Sequence, residues 1–392
     1  MNAAHVTAVI VTAAAAARLV FVGWRLISRK NMECWLGAYV RSLIRPRPRP
    51  VGPIDVLLCI ADHFEPGWNE APFEVQRQRV GRWVHGLPKL AERHHGADGK
   101  SLQHTFFFPA EEYHPEHLDR LATLHHHGLG DVEVHLHHHQ DTADGLRAKL
   151  LWFTETLHRR HGLLRLNEWT GLVEYGFIHG NWALDNSLPD GAWCGVNDEL
   201  TVLRDTGCYA DFTFPSAPSA TQPRTINSLY YATDDPSKPK SHDAGVEVRT
   251  GGRATGDLLM VQGPLTLNWR KRVYGLLPRI ENGEMTPDNP PTPQRADLWI
   301  RRHIHVKGQP NWIFVKLHTH GAEERHSEVL LGQALDETLS YLERAYNDGI
   351  RYRLHYVTAR EMVHIIKAAE GGCTGDPHRY REGCRANPGE AS

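Results

Sequence analysis

Cysteine is sparse in this sequence and is not arranged in pairs. The six cysteines are scattered along the chain, and no CxxC motif is present. This pattern argues against a zinc ribbon or a thioredoxin-type site, and it also argues against a compact disulfide scaffold. The cysteine content therefore does not require an oxidising compartment.

An excess of charge of one sign is also missing. The formal net charge of the 392-residue chain is −2 at pH 7. A chain with this charge balance does not attract a polyanion, so we expect no nucleic acid partner.

The chain has no internal repeat. With 41% hydrophobic residues, it is long enough for one large domain or two ordinary ones.

Histidine is abundant, with 27 residues, and four of them lie within "DVEVHLHHHQDT", residues 131–142. Neutral imidazole is the commonest metal ligand in proteins. His135 and His139 can share an ion if the strand ends at His135 and the next turn coils, because side chains at i and i+4 then lie about 6 Å apart. Alternatively, His135 and His137 lie on one face of a continuing strand, and His138 points away.

The first 53 residues have an unusual composition. Residues 6–24 are almost all apolar and are long enough to span a bilayer. We expect residues 1–30 to form a membrane helix, or else an Ala-rich helix that lies on the domain. Residues 31–53 are expected to form a basic, proline-rich linker that includes "RPRPRPVGP". If residues 6–24 span a membrane, the basic residues that follow predict a cytoplasmic catalytic domain; otherwise the chain is expected to be cytoplasmic.

Strand and helix patterns alternate over residues 54–370. "IDVLLCIADHFEP", "LQHTFFFP", "DVEVHLH", "LVEYGFIHG" and "NWIFVKLHTHG" read as strands, and amphipathic helical segments lie between them. This alternation predicts an α/β fold with parallel strands, open or closed into a barrel. Residues 216–300, rich in Pro, Gly, Asp and Ser, are expected to be a long loop/β insertion. Residues 371–392 are expected to be a disordered tail.

Polar side chains follow almost every predicted strand. In parallel α/β folds, chemistry is located at the carboxyl ends of the strands. The residues in these positions are Asp62 and His63, Glu111 and Glu112, His135 to His139, His179 with Asn181, and His318 with His320. They are ligand or acid/base residue types, and we interpret them as one functional rim.

The ordered series of these segments resembles the NodB-type polysaccharide deacetylase superfamily, whose fold is an irregular (β/α) barrel. "IADHFEP" occupies the place of the family's acidic-pair motif, and "HLHHH" has the spacing of its H-[ST]-x-x-H motif. "FIHGNW", "GCYADFTFP" and "FVKLH" correspond in order to three further segments. The sequence departs from the family in having Asp62-His63 instead of an acidic pair, and in lacking the arginine of the third motif.

The resemblance implies a divalent metal ion, with zinc as the candidate, held by His135, His139 and one of Asp62 or His63. Three protein ligands leave a coordination position open, as in catalytic zinc sites. Asp62 is the first candidate for the base, with Glu111 or Glu112 as its replacement, and His318 or else His320 is the candidate acid. The expected substrate contacts are His179, Asn181, Trp182 and Glu112.

The resemblance therefore predicts a metal-dependent carbohydrate N-deacetylase that acts on a cell-envelope or exopolysaccharide glycan. One alternative is a glycosidase on the same barrel, using Glu111, Glu112 and Asp62, which would need no metal. Another is a sugar-binding relative that has lost its catalytic base. A carbohydrate is the expected partner in each case, and residues 6–24 could add membrane association.

Overall fold

The computed structural model describes residues 27–44, 50–273, 275 and 277–383, together with residues 5, 18, 21 and 23–25. The strands are β1 (Ile54–His63), β2 (His104–Pro109), β3 (Gly130–Leu136), β4 (Arg165–Leu166), β5 (Val173–His179), β6 (Cys208–Asp211), β7 (Leu229–Ala232), β8 (Val246–Glu247), β9 (Leu258–Val261), β10 (Thr266–Val273), β11 (Leu277–Glu281), β12 (Trp312–Thr319) and β13 (Tyr352–Tyr356). The helices are α1 (Leu36–Ile44), α2 (Phe73–Ala91), α3 (Pro115–His126), α4 (Ala143–His161), α5 (Glu199–Asp205), α6 (Pro293–Ile300), α7 (Glu324–Leu330), α8 (Gln333–Tyr346) and α9 (Ala359–Glu370).

Most strands belong to one large and mostly parallel sheet. The strand order is β12-β1-β2-β3-β5-β6-β9-β7-β8, with β13 paired to the amino-terminal half of β1 and β4 paired to β5. The ladders from β12 to β6 are parallel, whereas β7 is antiparallel to β8 and β9. This mixed architecture confirms the predicted α/β class. The strands β10 and β11 form a separate antiparallel pair.

The apolar run at the centre of β1 is covered on both faces, as its composition predicts. Successive side chains of a strand point to opposite faces. The outer face, which packs with the helices α2 and α3, carries Val56, Leu58 and Ile60. The inner face, which packs with neighbouring strands and with α9, carries Leu57, Cys59 and Ala61. The same alternation decides which face each polar residue at the end of β1 occupies.

The segment from 216 to 300 contributes more to the sheet than the predicted insertion would. The strands β7, β8 and β9 lie in this range and extend the main sheet. The chain before β1 also packs on this region, because Trp35 and Tyr39 form a small core with Leu265 and its neighbours. Part of the predicted linker is therefore the helix α1, and residues 45–49 lie outside the described residues.

Residues 371–383 form ordered contacts, which differs from the predicted disordered tail. Arg381 is buried, and its guanidinium donates to Asp98, to Glu361 and to the carbonyl of Tyr356. The reason is electrostatic: a buried arginine needs acceptors, and the two carboxylates and the carbonyl supply them. Residues 384–392 lie outside the described residues.

The predicted membrane segment, residues 6–24, lies almost entirely outside the described residues. Among the residues that are described, every helix is too short or too polar to cross a bilayer.

Candidate metal and active site

Three parallel strands end in pairs of polar residues that occupy the inner face of the sheet. We call this group the rim cluster; it consists of His63 and Glu65 at the end of β1, His135 and His137 at the end of β3, and His318 and His320 at the end of β12, the first of each pair lying within the strand and the second just beyond it. The members of each pair are two positions apart, so strand alternation turns both toward the same side. In the β1–β12 ladder, Ala61 is the register partner of His318, which places His320 opposite His63.

The central contact of the rim cluster joins His135 and Glu65. Nδ1 of His135 lies 2.8 Å from the carbonyl of Ile178 and donates to it, which leaves Nε2 to face Glu65. That Nε2 lies 3.2 Å from Oε1 of Glu65. At this distance the two atoms share either a proton, as in a hydrogen bond between an imidazolium and a carboxylate, or a cation. A backbone carbonyl that fixes the ring in this way is the usual support of a histidine metal ligand.

His63 completes a group that could hold a metal ion. One ligand atom each from His63, Glu65 and His135 lies within 4.8 Å of the others, and all three side chains are buried. Nε2 of His63 has no hydrogen-bond partner. Burial, and then the neighbouring imidazoles, lowers the pKa of His63 well below its usual value. The ring is therefore neutral at physiological pH, the state in which imidazole binds metals.

Glu65 supplies the negative charge of this group. Burial acts to raise the pKa of its carboxyl, but the hydrogen bond from His135 and the charges of the nearby imidazoles outweigh that effect and lower the pKa. Sequence reasoning did not single out Glu65. The sequence feature that could have identified Glu65 is its position two residues after His63. If the chain stays extended past the end of β1, the side chains of Glu65 and His63 lie on the same face.

Two further carboxylates border the rim cluster. Oε1 of Glu111 lies 2.5 Å from Nδ1 of His137, whose Nε2 is 3.9 Å from Oε1 of Glu65. Glu112 accepts a hydrogen bond of 2.6 Å from the backbone N–H of Gly67. Burial, together with the charges of Glu65 and Glu111, raises the pKa of Glu112 to about 7. A carboxyl group with this pKa can both accept and release a proton near neutral pH.

Aromatic side chains surround the open side of the rim cluster. The ring of Trp182 lies 5.9 Å from that of His63 and 5.8 Å from that of His320. Trp68, which is 46% exposed, has its ring centre 6.4 Å from His320. A narrow recess, too tight to admit a water molecule, is lined by His63, Glu65, Trp68, His320, Ala322 and Glu323, and Trp182 lies beside this lining. Flat, partly exposed rings beside polar groups are suited to contact with a sugar.

His318 has no hydrogen-bond partner on Nδ1. Burial, and then the charge of Lys316, lowers the pKa of this imidazole well below its usual value. His320 is only partly buried, and its ring lies 4.7 Å from that of His63. Of the two candidate acids, His320 is therefore the one that borders the recess.

Asp62 occupies the opposite face of β1, which corrects its predicted place in the metal group. It is fully buried, and its two oxygens accept hydrogen bonds from Nε2 of His104, at 2.8 Å, and from the backbone N–H of Gly321, at 2.5 Å. The reason is the strand period of two, which separates Asp62 from His63. A Cβ atom at position 321 would lie 2.2 Å from Asp62 Oδ2, so only glycine fits there. Asp62 thereby fixes the turn directly after His320.

His139 does not join His135 either. It is exposed, and its Nδ1 accepts a hydrogen bond of 2.9 Å from the backbone N–H of Trp193. His135 and His137 are instead the neighbours, with ring centres 4.6 Å apart. The placement of the side chains is that of the second of the two alternatives for this segment, with His135 and His137 on one side and the ring of His138 turned away, although β3 itself ends at Leu136.

His179 also lies away from the rim cluster, on the outer face. Together with His138, Cys194 and Glu199 it forms a second group of buried side chains that could hold a metal ion. Burial lowers the pKa of His179 to about 4. Burial opposes the ionisation of Glu199, but the imidazoles of His179 and His138 lower its pKa to about 2. The group therefore contains a carboxylate beside neutral imidazole.

The remaining predicted contacts lie near the rim cluster. Asn181 is exposed and has a left-handed backbone conformation with a φ of 54°. It precedes Trp182, whose Nε1 is buried without a partner.

The sequence alone did not identify Cys194 and Glu199 as members of the second group. Neither belongs to a motif, and both lie more than fifty positions from His138.

No family model matches this chain, and no curated protein matches it. Membership of the polysaccharide deacetylase superfamily therefore stays a prediction from the ordered motifs.

Proposed function

We propose that this protein is a metal-dependent hydrolase that removes acetyl groups from the amide nitrogens of a carbohydrate. The observation that carries the proposal is the contact of 3.2 Å between Nε2 of His135 and Oε1 of Glu65 beside the unpartnered Nε2 of His63, three buried atoms that lie within ligand distance of one another. A divalent cation satisfies all three atoms at once. Two histidines and one carboxylate are a common ligand set of catalytic zinc.

We place this chemistry on a sheet that closes as an irregular (β/α) barrel. Two observations support closure. Side chains of β12 and β9, which are far apart in the strand order, belong to one inner core. Nζ of Lys316 on β12 also donates to the carbonyl of Phe212, which directly follows β6, at 2.7 Å. Such closure would bring the carboxyl ends of all the strands around one recess.

The metal would be held by His63, Glu65 and His135, with His137 beside them. An ion held there supplies Lewis-acid polarisation of an amide carbonyl and makes water easier to deprotonate. Glu112, with its pKa of about 7, is the group suited to take up the proton of the attacking water. His320 at the recess is suited to donate a proton to the departing sugar amine. Trp182 and Trp68 would stack on the sugar ring.

The fit between this site and the predicted family ligands is partial. The resemblance assigns the metal to His135, His139 and Asp62 or His63, whereas the geometry favours His63, Glu65 and His135. In the proposed set, Glu65 takes the ligand position that the resemblance gives to His139. It also supplies the carboxylate that the Asp62-His63 pair does not provide. The glycosidase alternative is weakened, because Asp62, one of its three candidate carboxylates, lies on the other face of β1.

The test is an assay of two products from an N-acetylated oligosaccharide. We expect the protein to release acetate, to lose that activity with a chelator, and to regain it with zinc. We expect Glu65→Gln and His135→Ala to release none, while His139→Ala retains activity. New reducing ends that form in the presence of chelator, without acetate, would instead indicate a glycosidase. Acetate release that a chelator does not affect would refute the proposal.

A further inference from the structure

The "HLHHH" segment sends its histidines to two different places. His135 and His137 join the rim cluster, whereas His138 projects into the outer layer. There it meets His179, Cys194 and Glu199, which come from the end of β5, the following loop and the first turn of α5. We call these four residues the inter-loop cluster. They are buried to at least nine-tenths, and one ligand atom from each lies within 4.8 Å of the others.

The two imidazoles of the inter-loop cluster face one carboxylate oxygen. Oε1 of Glu199 lies 3.2 Å from Nε2 of His138 and 3.5 Å from Nε2 of His179. His179 Nδ1 lies 2.5 Å from the carbonyl of Gly180 and donates to it, so the lone pair of Nε2 points toward the carboxylate. That nitrogen is buried and has no hydrogen-bond partner. A buried acceptor directed at a carboxylate is unfavourable unless a cation lies between them.

The sulfur of Cys194 lies between backbone donors and oxygen acceptors. It accepts hydrogen bonds of 3.4 Å from the backbone N–H groups of Asn186 and Val196, and it lies 3.3 Å from Oε2 of Glu199 and 3.5 Å from the carbonyl of Val196. Burial and the charge of Glu199 raise the pKa of the free thiol, so a thiolate here would need a cation beside it. Backbone donors directed at sulfur stabilise its anionic form. Cys208 is also buried and also contacts the carbonyl two residues further on, that of Ala210, but it belongs to neither candidate metal group, which makes it a matched control for Cys194.

We propose that His138, His179, Cys194 and Glu199 bind a second metal ion in a closed structural site. Two nitrogens, one sulfur and one oxygen suit zinc, whereas magnesium and calcium prefer oxygen ligands alone. Four protein ligands leave no position for substrate, and Cys194 itself belongs to the main hydrophobic core. The ion would tie together three chain segments that are distant in sequence.

This site would also position the rim cluster. His137 and His138 are adjacent, so fixing His138 on the outer face fixes the direction of His137 on the inner face. Gly180, next to His179, approaches the ring of His137 so closely that a Cβ atom there would lie 2.2 Å from its Cδ2. The inference does not depend on the proposed deacetylase activity, because the cluster makes no use of the recess.

Cobalt substitution tests the proposal directly, since a thiolate bound to Co²⁺ gives a ligand-to-metal charge-transfer band in the near ultraviolet. The full-length protein is stripped with chelator and reconstituted with Co²⁺ alone. We expect the band in the wild type and in the Cys208→Ser control. We also expect it in His135→Ala, because the group of His63, Glu65 and His135 contains no sulfur. The band should be absent in Cys194→Ser.

The absence of the band from the wild type would overturn the proposal, and so would its persistence in Cys194→Ser. Loss of the band in a folded His135→Ala variant would also overturn it, because the two sites would then not be separate. The wild-type spectrum needs no substitution, so the test holds even if Cys194→Ser fails to fold. Hydrolase activity is not the readout, and therefore failure of the proposed function would leave this result unaffected.

Discussion

Nε2 of His135 lies 3.2 Å from Oε1 of Glu65, while the other ring nitrogen of His135 donates to the carbonyl of Ile178. The carbonyl fixes the tautomer, so the space between the imidazole and the carboxylate must hold a proton or a cation. His135 lies in β3 and Glu65 follows β1, and the carboxyl ends of these strands meet at the same edge of the sheet. If the proposed site binds a metal ion, the strength of binding should depend on this carboxylate.

Glu65→Gln should abolish the stabilisation that zinc gives to the rim cluster. The amide keeps the shape of the carboxylate but not its charge, and its NH₂ group can donate to the imidazole instead. At a free zinc concentration 100-fold above the dissociation constant of the rim cluster, this site should add about 2.7 kcal/mol to the free energy of unfolding of the wild type, beyond any gain from the inter-loop cluster. Urea unfolding with and without zinc measures this gain. An equal gain in Glu65→Gln would refute the assignment of Glu65 as a ligand.

Asp62 should prove to be a structural residue rather than a metal ligand. Asp62→Ala leaves the buried N–H of Gly321 without an acceptor, and it also removes the partner of His104. The expected loss is about 1–3 kcal/mol in the free energy of unfolding. Asp62→Asn keeps an oxygen for Gly321 and should be less destabilised. Both variants should retain the metal content of the wild type. Loss of one metal equivalent without a loss of stability would restore Asp62 as a ligand.

The raised pKa of Glu112 predicts a pH-dependent penalty in the metal-free protein. Because folding raises this pKa from 4.5 to about 7, the carboxyl favours the folded state most at low pH, and its contribution is lost as the pH rises through about 7. Glu112→Gln cannot ionise, so its stability relative to the wild type should increase between pH 5 and pH 8.

Urea unfolding of chelator-treated protein at these two pH values measures the difference. Glu70→Gln, which alters an exposed carboxylate near the same loop, is the control. A relative stability of Glu112→Gln that does not change with pH would show that Glu112 has an ordinary pKa.

Arg381 should contribute strongly to stability although it lies close to the end of the described chain. Arg381→Ala leaves two carboxylates, Asp98 and Glu361, without their buried partner. The expected loss is roughly 3 kcal/mol in the free energy of unfolding. Arg379→Ala, a nearby exposed arginine, is the control. Equal stability of the two variants would mean that residues 371–383 do not pack in solution as they do here.

Arg381→Ala should also become less sensitive to acid. Burial acts to raise the pKa of Asp98, but the hydrogen bond from His355 and the charge of Arg381 lower it well below its usual value. A lowered carboxyl pKa gives stability above the unfolded pKa, and this stability is lost as the pH falls. Without Arg381, the free energy of unfolding should therefore fall less between pH 5 and pH 3.

Strand periodicity was enough to predict much of the rim cluster. The carboxyl ends of parallel strands placed His63, His135, His318 and His320 at one edge, and the period of two included the pairing of His135 with His137. The family resemblance predicted that His135 and His139 bind the same metal ion. It also made Asp62 a possible metal ligand and the first candidate for the base. Those residues separated because His137, and not His139, lies on the same side as His135, and because Asp62 and His63 occupy opposite faces of β1.

The inter-loop cluster could not be predicted from local pattern. Cys194 and Glu199 have no neighbours in sequence that suggest a metal site, and they reach His138 and His179 only through the packing of α5 against the sheet. The contribution of β7, β8 and β9 to the main sheet was missed for a related reason. Short strands between turns carry little periodicity, and their pairing is decided by tertiary contacts.

The metal content of the purified full-length protein, compared between the wild type, His135→Ala and His139→Ala, tests the account most directly. Inductively coupled plasma mass spectrometry, normalised to protein concentration, gives the number of equivalents. We predict that His135→Ala contains one equivalent less than the wild type, whereas His139→Ala contains the same amount. Equal metal content in the wild type and in a folded His135→Ala variant would contradict the proposed site.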